Sequence, residues 1–348
     1  MTDGLDAARR GRPHHPDRAT DGGEGTRFEV FVERLDAVSW DRLHHAYGIA
    51  DDVPDMLRAL RDPDPEIRGD ALGGLHATVL HQGTRFEASQ EVVPFLVALI
   101  DDPATPDRGD LLRLFTGLAI GDRRDDRLPF DPATELTAAA RLDGVATAAD
   151  RLDGADTAAL VRRFHAEQDA DDFSGEEFEL LNLLATRWED DCYHRAAAFQ
   201  DVIVSWIGDP DDAVAARAAA LAAWFPLNTA TVQAWLAVPA SREQPRASAN
   251  LALAHTLLED PRIDRLLDSL LDTDPRTDPR NDAGIGAGIV TVTAAVATAY
   301  RKGEALSPAA LTVLIETAHR DPIGEVTGWS RALRGFVMLA LHRLDLHV

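Results

Sequence analysis

An internal repeat is the feature that most restricts how this chain folds. Residues 53–75 and 93–115 align at an offset of 40 with no gap, and most apolar positions stay apolar. A fixed period of this size is typical of stacked repeats, in which each unit buries its apolar face against the next. The identical pairs are Val53/Val93, Pro54/Pro94, Asp62/Asp102, Pro63/Pro103, Arg68/Arg108, Gly69/Gly109, Asp70/Asp110 and Leu72/Leu112.

Each copy of the repeat predicts two helices joined by a short turn. In the first copy, residues 52–60 predict helix A, and residues 66–80 predict helix B after an Asp-Pro-Asp-Pro turn. The side chains predicted to point inward from helix B are Ile67, Ala71, Leu72, Leu75 and Val79. The predicted fold class is therefore all-α, an α-α superhelix of about five to six helical pairs with an irregular helical insertion.

The pattern divides the chain into four predicted segments. Residues 1–25 are a polar arm expected to be disordered, and residues 26–120 carry the N-terminal repeats. Residues 121–175 break the rhythm as an irregular helical insertion with an acidic connector, and residues 176–348 resume the repeats, beginning with a helix at Ala197–Ile207. A short helix is predicted at Trp40–Tyr47 with Ser39 as its N-cap, and no alternating pattern indicates a sheet.

Composition excludes several classes of function. The net charge of −24 opposes binding to a nucleic-acid backbone, which requires a basic surface. Cys192 is the single cysteine, so an intramolecular disulfide and a cysteine-rich zinc site are excluded, and a reducing cytoplasm is expected. No apolar run approaches the length of a membrane span, and no phosphate-binding glycine motif indicates a cofactor. We expect no cofactor and no membrane association.

The turn and the helix after it resemble the HEAT-repeat family. The resemblance rests on Asp-Pro-Asp-x-x-Ile/Val followed by arginine, which residues 62–72 carry in full. It implies a ladder in which turn aspartates and helix-B arginines bond along the stack, and it assigns Asp62 or Asp64 with Arg68, and Asp102 with Arg108. The third unit departs from the pattern, because Ala215 stands where arginine is expected and Arg217 falls two places later.

A narrower resemblance is to bacterial HEAT-repeat proteins of the actinomycete type. It rests on a His-Gln-Gly-Thr segment at His81–Thr84, with supporting segments at residues 45–48, 93–96 and 223–226. This resemblance implies a solenoid that binds other molecules, and it carries over no established catalytic residue.

The segment between the two best-matched units supplies the candidate site. His81, Gln82, Thr84 and Arg85 place polar groups at a corner between repeats, with Glu87 as the nearest carboxylate by sequence. This corner is expected to face His44, His45 and Tyr47. A structural interpretation stands beside the functional one: His81 opposes the helix dipole, Gly83 takes a left-handed conformation and Thr84 bonds to the backbone as a C-cap.

Two clusters contain residue types that bind metals. His44 and His45 are adjacent, and neighbouring side chains on a helix diverge by about 100°. The run Glu189–His194 contains oxygen, sulfur and nitrogen donors, but it lacks the spacing of a zinc or calcium site. We expect no metal at either position.

Two classes of function fit these observations. The leading prediction is a non-catalytic scaffold that recognises a protein partner, possibly a basic one, on the concave face lined by the B helices. Toxin-neutralising, immunity-like or regulatory roles all fit such a scaffold. The alternative is an enzyme of the lyase type, because HEAT-like stacks include bilin lyases, with an active corner near His81 and Glu87. The oligomeric state stays open.

Overall fold

The computed structural model is largely helical and confirms the all-α class. It describes residues 23–121, 151–152, 155–166, 173–237, 244–271, 286–319, 326–329 and 332–346. Residues 1–22 of the predicted arm and residues 122–150 of the predicted insertion therefore lie outside the described residues. The chain divides into two compact units, one ending at Val38 and the other beginning at Ser39.

The first unit contains the helix α1. It begins within the predicted arm, at Gly23, and it ends at Asp36. Phe31 and Leu35, four residues apart on this helix, are buried, in agreement with the helical spacing of the sequence.

The helices of the second unit follow the chain in pairs, with short 3-10 turns at several of their ends. They are α2 (Val53–Ala59), α3 (Pro65–Thr78), α4 (Ser89–Asp101), α5 (Arg108–Ile120), α6 (Thr157–Ala166), α7 (Gly175–Ala197), α8 (Gln200–Ser205), α9 (Asp212–Leu221), α10 (Thr229–Ala237), α11 (Pro245–Ala254), α12 (Pro261–Leu271), α13 (Gly286–Lys302), α14 (Pro308–Ala318) and α15 (Leu333–Arg343). None of the helices in the described part of the chain combines the length and apolar character needed to cross a bilayer.

A short hairpin replaces most of the helix predicted at Trp40–Tyr47, so that prediction is wrong beyond a 3-10 turn at Trp40–Arg42. The strands β1 (His44–His45) and β2 (Gly48–Ile49) pair antiparallel. The hairpin is tied to its surroundings because the Ala46 amide donates to the Thr78 carbonyl at 3.0 Å. This bond to another segment satisfies a backbone amide that a helix would have paired internally.

The first repeat forms as its turn chemistry predicts. Asp64 accepts a hydrogen bond from the amide of Glu66 at 2.9 Å, and Pro65 is the first residue of α3. Ala71 and Leu75 are buried as expected. Ile67 is 45% exposed, so its predicted inward position is wrong. It lies in the first turn of α3, which faces solvent.

The second helix pair, α4 and α5, contacts helices that lie far along the sequence. Helix α5 packs against α4, α7 and α9, although 91 residues (121–211) separate the end of α5 from the start of α9 in sequence. Helix α7 begins with a capping box in which Ser174 and Glu177 bond each other's backbone amides. Ala197 ends α7, so the helix predicted at Ala197–Ile207 is wrong in its bounds, and α8 with a 3-10 turn at Trp206–Gly208 takes that place.

Helix α13 lies at the centre of the C-terminal half. It packs against α11, α12, α14 and α15, and its residues from Thr291 to Ala299 are buried. The predicted cap of α14 is confirmed, since Ser307 accepts from the Ala310 amide at 3.3 Å. The predicted last helix, from Gly328, begins five residues later, at Leu333. Gly328 has φ +89°, which is not helical.

Arg68 and Arg108 pair with carboxylates other than the predicted ones. Arg68 donates to Asp107 at 2.7 Å and to the carbonyl, not the carboxylate, of Asp62. Arg108 pairs with Asp209 of the third unit, and Asp102 instead pairs with Arg61 at 2.9 Å. Arg68 stays within reach of its own turn, since its Nη1 bonds the carbonyls of Asp62 and Pro63, but the carboxylate that it meets is that of Asp107.

Candidate functional site

The β1–β2 hairpin, the 3-10 turn His81–Gly83 and the start of α4 meet at one corner, which we call the histidine corner. It comprises His44, His45, Tyr47, His81 and Glu87. The hairpin is fixed to the segment before α4 because the Ala88 amide donates to the His44 carbonyl at 3.0 Å. The structure thus brings together residues that lie in two separate segments of the sequence.

His44 and Glu87 form the less exposed part of the corner. Its Nδ1 lies 3.1 Å from Glu87 Oε2, and the His44 side chain is only 12% exposed. Its ring stacks on the ring of His165 from α6, with centroids 5.3 Å apart and planes 2° from parallel. Glu87, which the sequence offered as a partner for His81, therefore has His44 as its hydrogen-bond partner.

His45 is a structural anchor. Successive side chains of a strand point to opposite faces, so His45 turns away from His44 and is buried. The Tyr47 amide donates to His45 Nδ1 at 3.0 Å, and His45 Nε2 lies 2.9 Å from Asp52 Oδ1. Because Nδ1 accepts a hydrogen bond, the ring proton is on Nε2 and is donated to Asp52.

Tyr47 and His81 form the exposed part of the corner. Tyr47 is 66% exposed, and its ring meets that of His81 edge to face, with centroids 5.3 Å apart. His81 Nδ1 lies 3.1 Å from the Ala77 carbonyl and 3.3 Å from the Tyr47 hydroxyl. A carbonyl only accepts, so Nδ1 carries the proton and Nε2 is left with a lone pair when the ring is neutral.

The remaining predicted residues have backbone or packing roles. Gln82 is exposed with φ +51°, and Gly83 has the predicted left-handed conformation with φ +82°. The Thr84 amide donates to the His81 carbonyl at 2.9 Å, which agrees with the C-cap interpretation. Arg85 is buried, donates to the Gly83 carbonyl at 3.0 Å and pairs with Glu189 of α7 at 3.5 Å. Its side chain joins the corner to α7.

His165 stacks on His44 at the histidine corner and is not among the residues that the sequence predicted there. Partial burial, together with the charges of His44 and His45, lowers the pKa of His165 from 6.5 to about 4. This histidine is therefore neutral at physiological pH. No spacing in the sequence signals it, because α6 lies in the predicted insertion and reaches His44 only through the tertiary fold.

The two groups of metal-binding residue types, His44 with His45 and the run Glu189–His194, have structural roles in the described part of the chain. Among the described residues, no three histidine, cysteine, aspartate or glutamate side chains lie close enough to bind one ion. Within the run Glu189–His194, Cys192 is buried in α7, while His194 pairs with Asp190 one turn earlier. Both residues are explained by the helix itself.

Comparisons with protein-family models, curated proteins and solved structures find no match to this chain. The chemistry of the corner is therefore argued from its geometry. The His44–Glu87 pair is suited to holding a proton, whereas Tyr47 presents a broad apolar ring to solvent. An exposed ring of this kind favours recognition of a surface over chemistry that requires exclusion of water.

Proposed function

We propose that this protein is a non-catalytic scaffold whose histidine corner binds a protein partner. The observation that carries the proposal is that Tyr47 is 66% exposed although hydrogen bonds fix both its backbone amide and its hydroxyl group. Its amide donates to His45, and its hydroxyl bonds His81. A large side chain that is ordered before binding loses little conformational entropy on association, which is typical of residues that dominate interface energetics.

The neighbouring surface supports the same role. Ile49, on the other strand of the hairpin, is 53% exposed, so the hairpin presents two large apolar side chains to solvent. Exposed apolar side chains grouped on one hairpin are suited to the centre of an interface. We further propose a HEAT-type solenoid for the helix pairs, which the Arg108–Asp209 link between successive units supports.

Global charge bears on the kind of partner. A net charge of −24 accelerates the approach of a basic protein and repels nucleic acid. A basic partner, as for a regulatory or toxin-neutralising protein, is part of this proposal. The proposed location is the cytoplasm, which the single cysteine favours.

Site-specific photo-crosslinking tests the proposal. A photoreactive phenylalanine analogue is placed at Tyr47 and, as a control, at Leu227, which is 40% exposed. We expect the analogue at the Tyr47 position to crosslink one partner protein and the analogue at the Leu227 position to crosslink none. The crosslinked protein is then purified, and Tyr47→Ala is expected to weaken its binding at least about tenfold. Equal affinity of wild type and Tyr47→Ala for that protein would overturn the proposal.

A second candidate function rests on the pair His44–Glu87. Nδ1 and Oε2 are 3.1 Å apart, which is the arrangement of a histidine oriented by a carboxylate for acid–base work. An enzyme of the lyase type would then use His44 where the sequence suggested His81. Intact mass spectrometry of the purified partner after incubation separates the two functions. The scaffold leaves its mass unchanged, whereas a lyase changes it in a way that Glu87→Gln abolishes.

A further inference from the structure

A cationic row crosses the three B helices α5, α9 and α11, and it begins on α5 beside the residues that follow α3. A Cβ atom at Gly117 would lie 2.3 Å from Cδ2 of Leu80, so these positions face each other directly. His76, in the last turn of α3, and Arg113, on α5, each stand four residues before this contact. Burial lowers the pKa of the His76 ring, and the positive charge of Arg113 lowers it further.

The row continues from α5 to α9 in the same way. A Cβ atom at Gly109 would lie 3.1 Å from Cβ of Ala213. One turn later on both helices stand Arg113 and Arg217, which are therefore neighbours across α5 and α9. Burial lowers the pKa of Arg217, and the positive charge of Arg113 lowers it further. The two guanidinium groups are therefore close enough to repel each other.

The cations of this row have no carboxylate partner among the described residues. Arg113 is exposed, and Nε of Arg217 is buried without a hydrogen-bond acceptor in the described part of the chain. Asp110, one turn before Arg113, is the acidic group whose charge acts on Arg217. By contrast, the B-helix arginines Arg68 and Arg108 are both ion-paired. Among the described residues, the arginines of this face therefore differ from Arg68 and Arg108 in having no carboxylate bound to them.

Two further features surround Arg217. Arg246, at the start of α11, adds a third positive charge that acts on it. Asp212, beside Arg246, accepts from the backbone amides of Arg246 and Ala247 at 3.3 and 3.0 Å and so serves the start of α11. On the other side, the segment 326–329 crosses α9, because a Cβ atom at Gly328 would lie 3.4 Å from Cα of Arg217. This contact helps to keep Arg217 partly buried.

We propose that the row Arg113–Arg217–Arg246 is a docking site for an acidic segment, rich in Asp and Glu, of a protein partner. Guanidinium groups bind carboxylates through paired N–H donors, and a partly dehydrated arginine strengthens such a bond. A short acidic segment supplies the missing carboxylates. A nucleic acid is the weaker fit, because neutralising a phosphate backbone takes an extended basic surface, whereas this row supplies three arginines. This site uses residues other than those of the histidine corner, and it stands or falls separately.

Fluorescence polarisation with a labelled octaglutamate peptide tests the site, with octaglutamine as the uncharged control peptide. At low salt we expect octaglutamate to bind and octaglutamine not to bind. Arg113→Gln and Arg217→Gln are each expected to weaken octaglutamate binding about tenfold. Arg217→Lys is expected to weaken it less, because lysine keeps the positive charge but loses the paired N–H donors of the guanidinium group. The matched control is Arg187→Gln on α7, an arginine 57% exposed, for which affinity stays unchanged.

Several outcomes would overturn the proposal. These are no octaglutamate binding at low salt, equal loss in Arg187→Gln, or an oligothymidylate that binds more tightly than octaglutamate and competes with it. Arg113 is exposed, so Arg113→Gln keeps the test valid even if Arg217→Gln fails to fold. Tyr47→Ala is expected to leave octaglutamate affinity unchanged, so failure here is distinguishable from failure of the histidine corner.

Discussion

The guanidinium of Arg108 donates to both carboxylate oxygens of Asp209, at 3.1 Å from Nη1 and 2.5 Å from Nη2. The two residues are 101 positions apart, and their side chains are only 9% and 11% exposed. The third donor of Arg108, Nε, bonds the Ile100 carbonyl at 2.7 Å. This one side chain therefore joins α4, α5 and the turn before α9.

Removal of Arg108 is the first test of this link. Arg108→Ala leaves Asp209 as a buried charge without its partner, and we expect the free energy of unfolding to fall by about 3–5 kcal/mol. Urea denaturation followed by circular dichroism measures the loss. Arg151→Ala is the control, because Arg151 and Glu179 form an exposed pair for which a change below about 1 kcal/mol is expected. Equal losses in both variants would contradict this role for Arg108.

A methyl group at Gly328 is expected to destabilise the C-terminal half. Gly328 has φ +89°, and a Cβ atom there would lie 2.9 Å from Cβ of Ala220. Gly328→Ala therefore combines backbone strain with a steric clash, at a cost of about 1–3 kcal/mol. Gly73→Ala is the matched control: no atom lies within 4 Å of its added methyl group, and the helix gains up to about 1 kcal/mol. Calorimetric Tm values compare the two, and a Tm unchanged in Gly328→Ala would refute the close approach.

The His165 ring predicts a pH dependence of stability. Its pKa is about 4 in the folded protein and 6.5 ordinarily, so between these values the unfolded chain binds more protons. Stability from this group is complete above pH 6.5 and declines as the pH falls toward 4. In His165→Gln, the free energy of unfolding should fall less over that interval than in the wild type. His319→Gln, on α14, should keep the wild-type profile, and a wild-type profile in both would disprove the effect.

Cys192 is expected to be inert in the folded protein. Burial raises the pKa of its thiol from 9.0 to about 12, which lowers the thiolate fraction about a thousandfold. A thiol reagent such as DTNB should label the protein only as it unfolds. Because the chain has a single cysteine, the labelling rate reports this position alone. Rapid labelling without denaturant would show that α7 does not bury Cys192.

The local parts of the fold were predictable because they depend on neighbours in sequence. Asp64 with Pro65 starts α3, and Ser307 caps α14, as their residue types predict. The Trp40–Tyr47 segment was mispredicted because its hairpin depends on distant partners, such as the Thr78 carbonyl and Glu87. Local propensity carries no information about such partners.

The candidate sites divide in the same way. The sequence singled out His44, Tyr47, His81 and Glu87 as residues of one corner, and the structure brings them together. It could not assign Glu87 to His44 or add His165, because these contacts connect segments 43 and more than 100 residues apart. The cationic row was equally hidden, since Arg113 and Arg217 become neighbours only when α5 packs against α9.

The sequence by itself determined the helical class, the paired-helix unit and the caps and turns within each unit. It did so because hydrophobic periodicity and turn residues act over a few positions of the chain. Only the tertiary structure decided which carboxylate each arginine meets, from Arg108 with Asp209 to Arg217 with none in the described residues. Ion pairing depends on distance in space and on burial, and the register of one helix against another sets both.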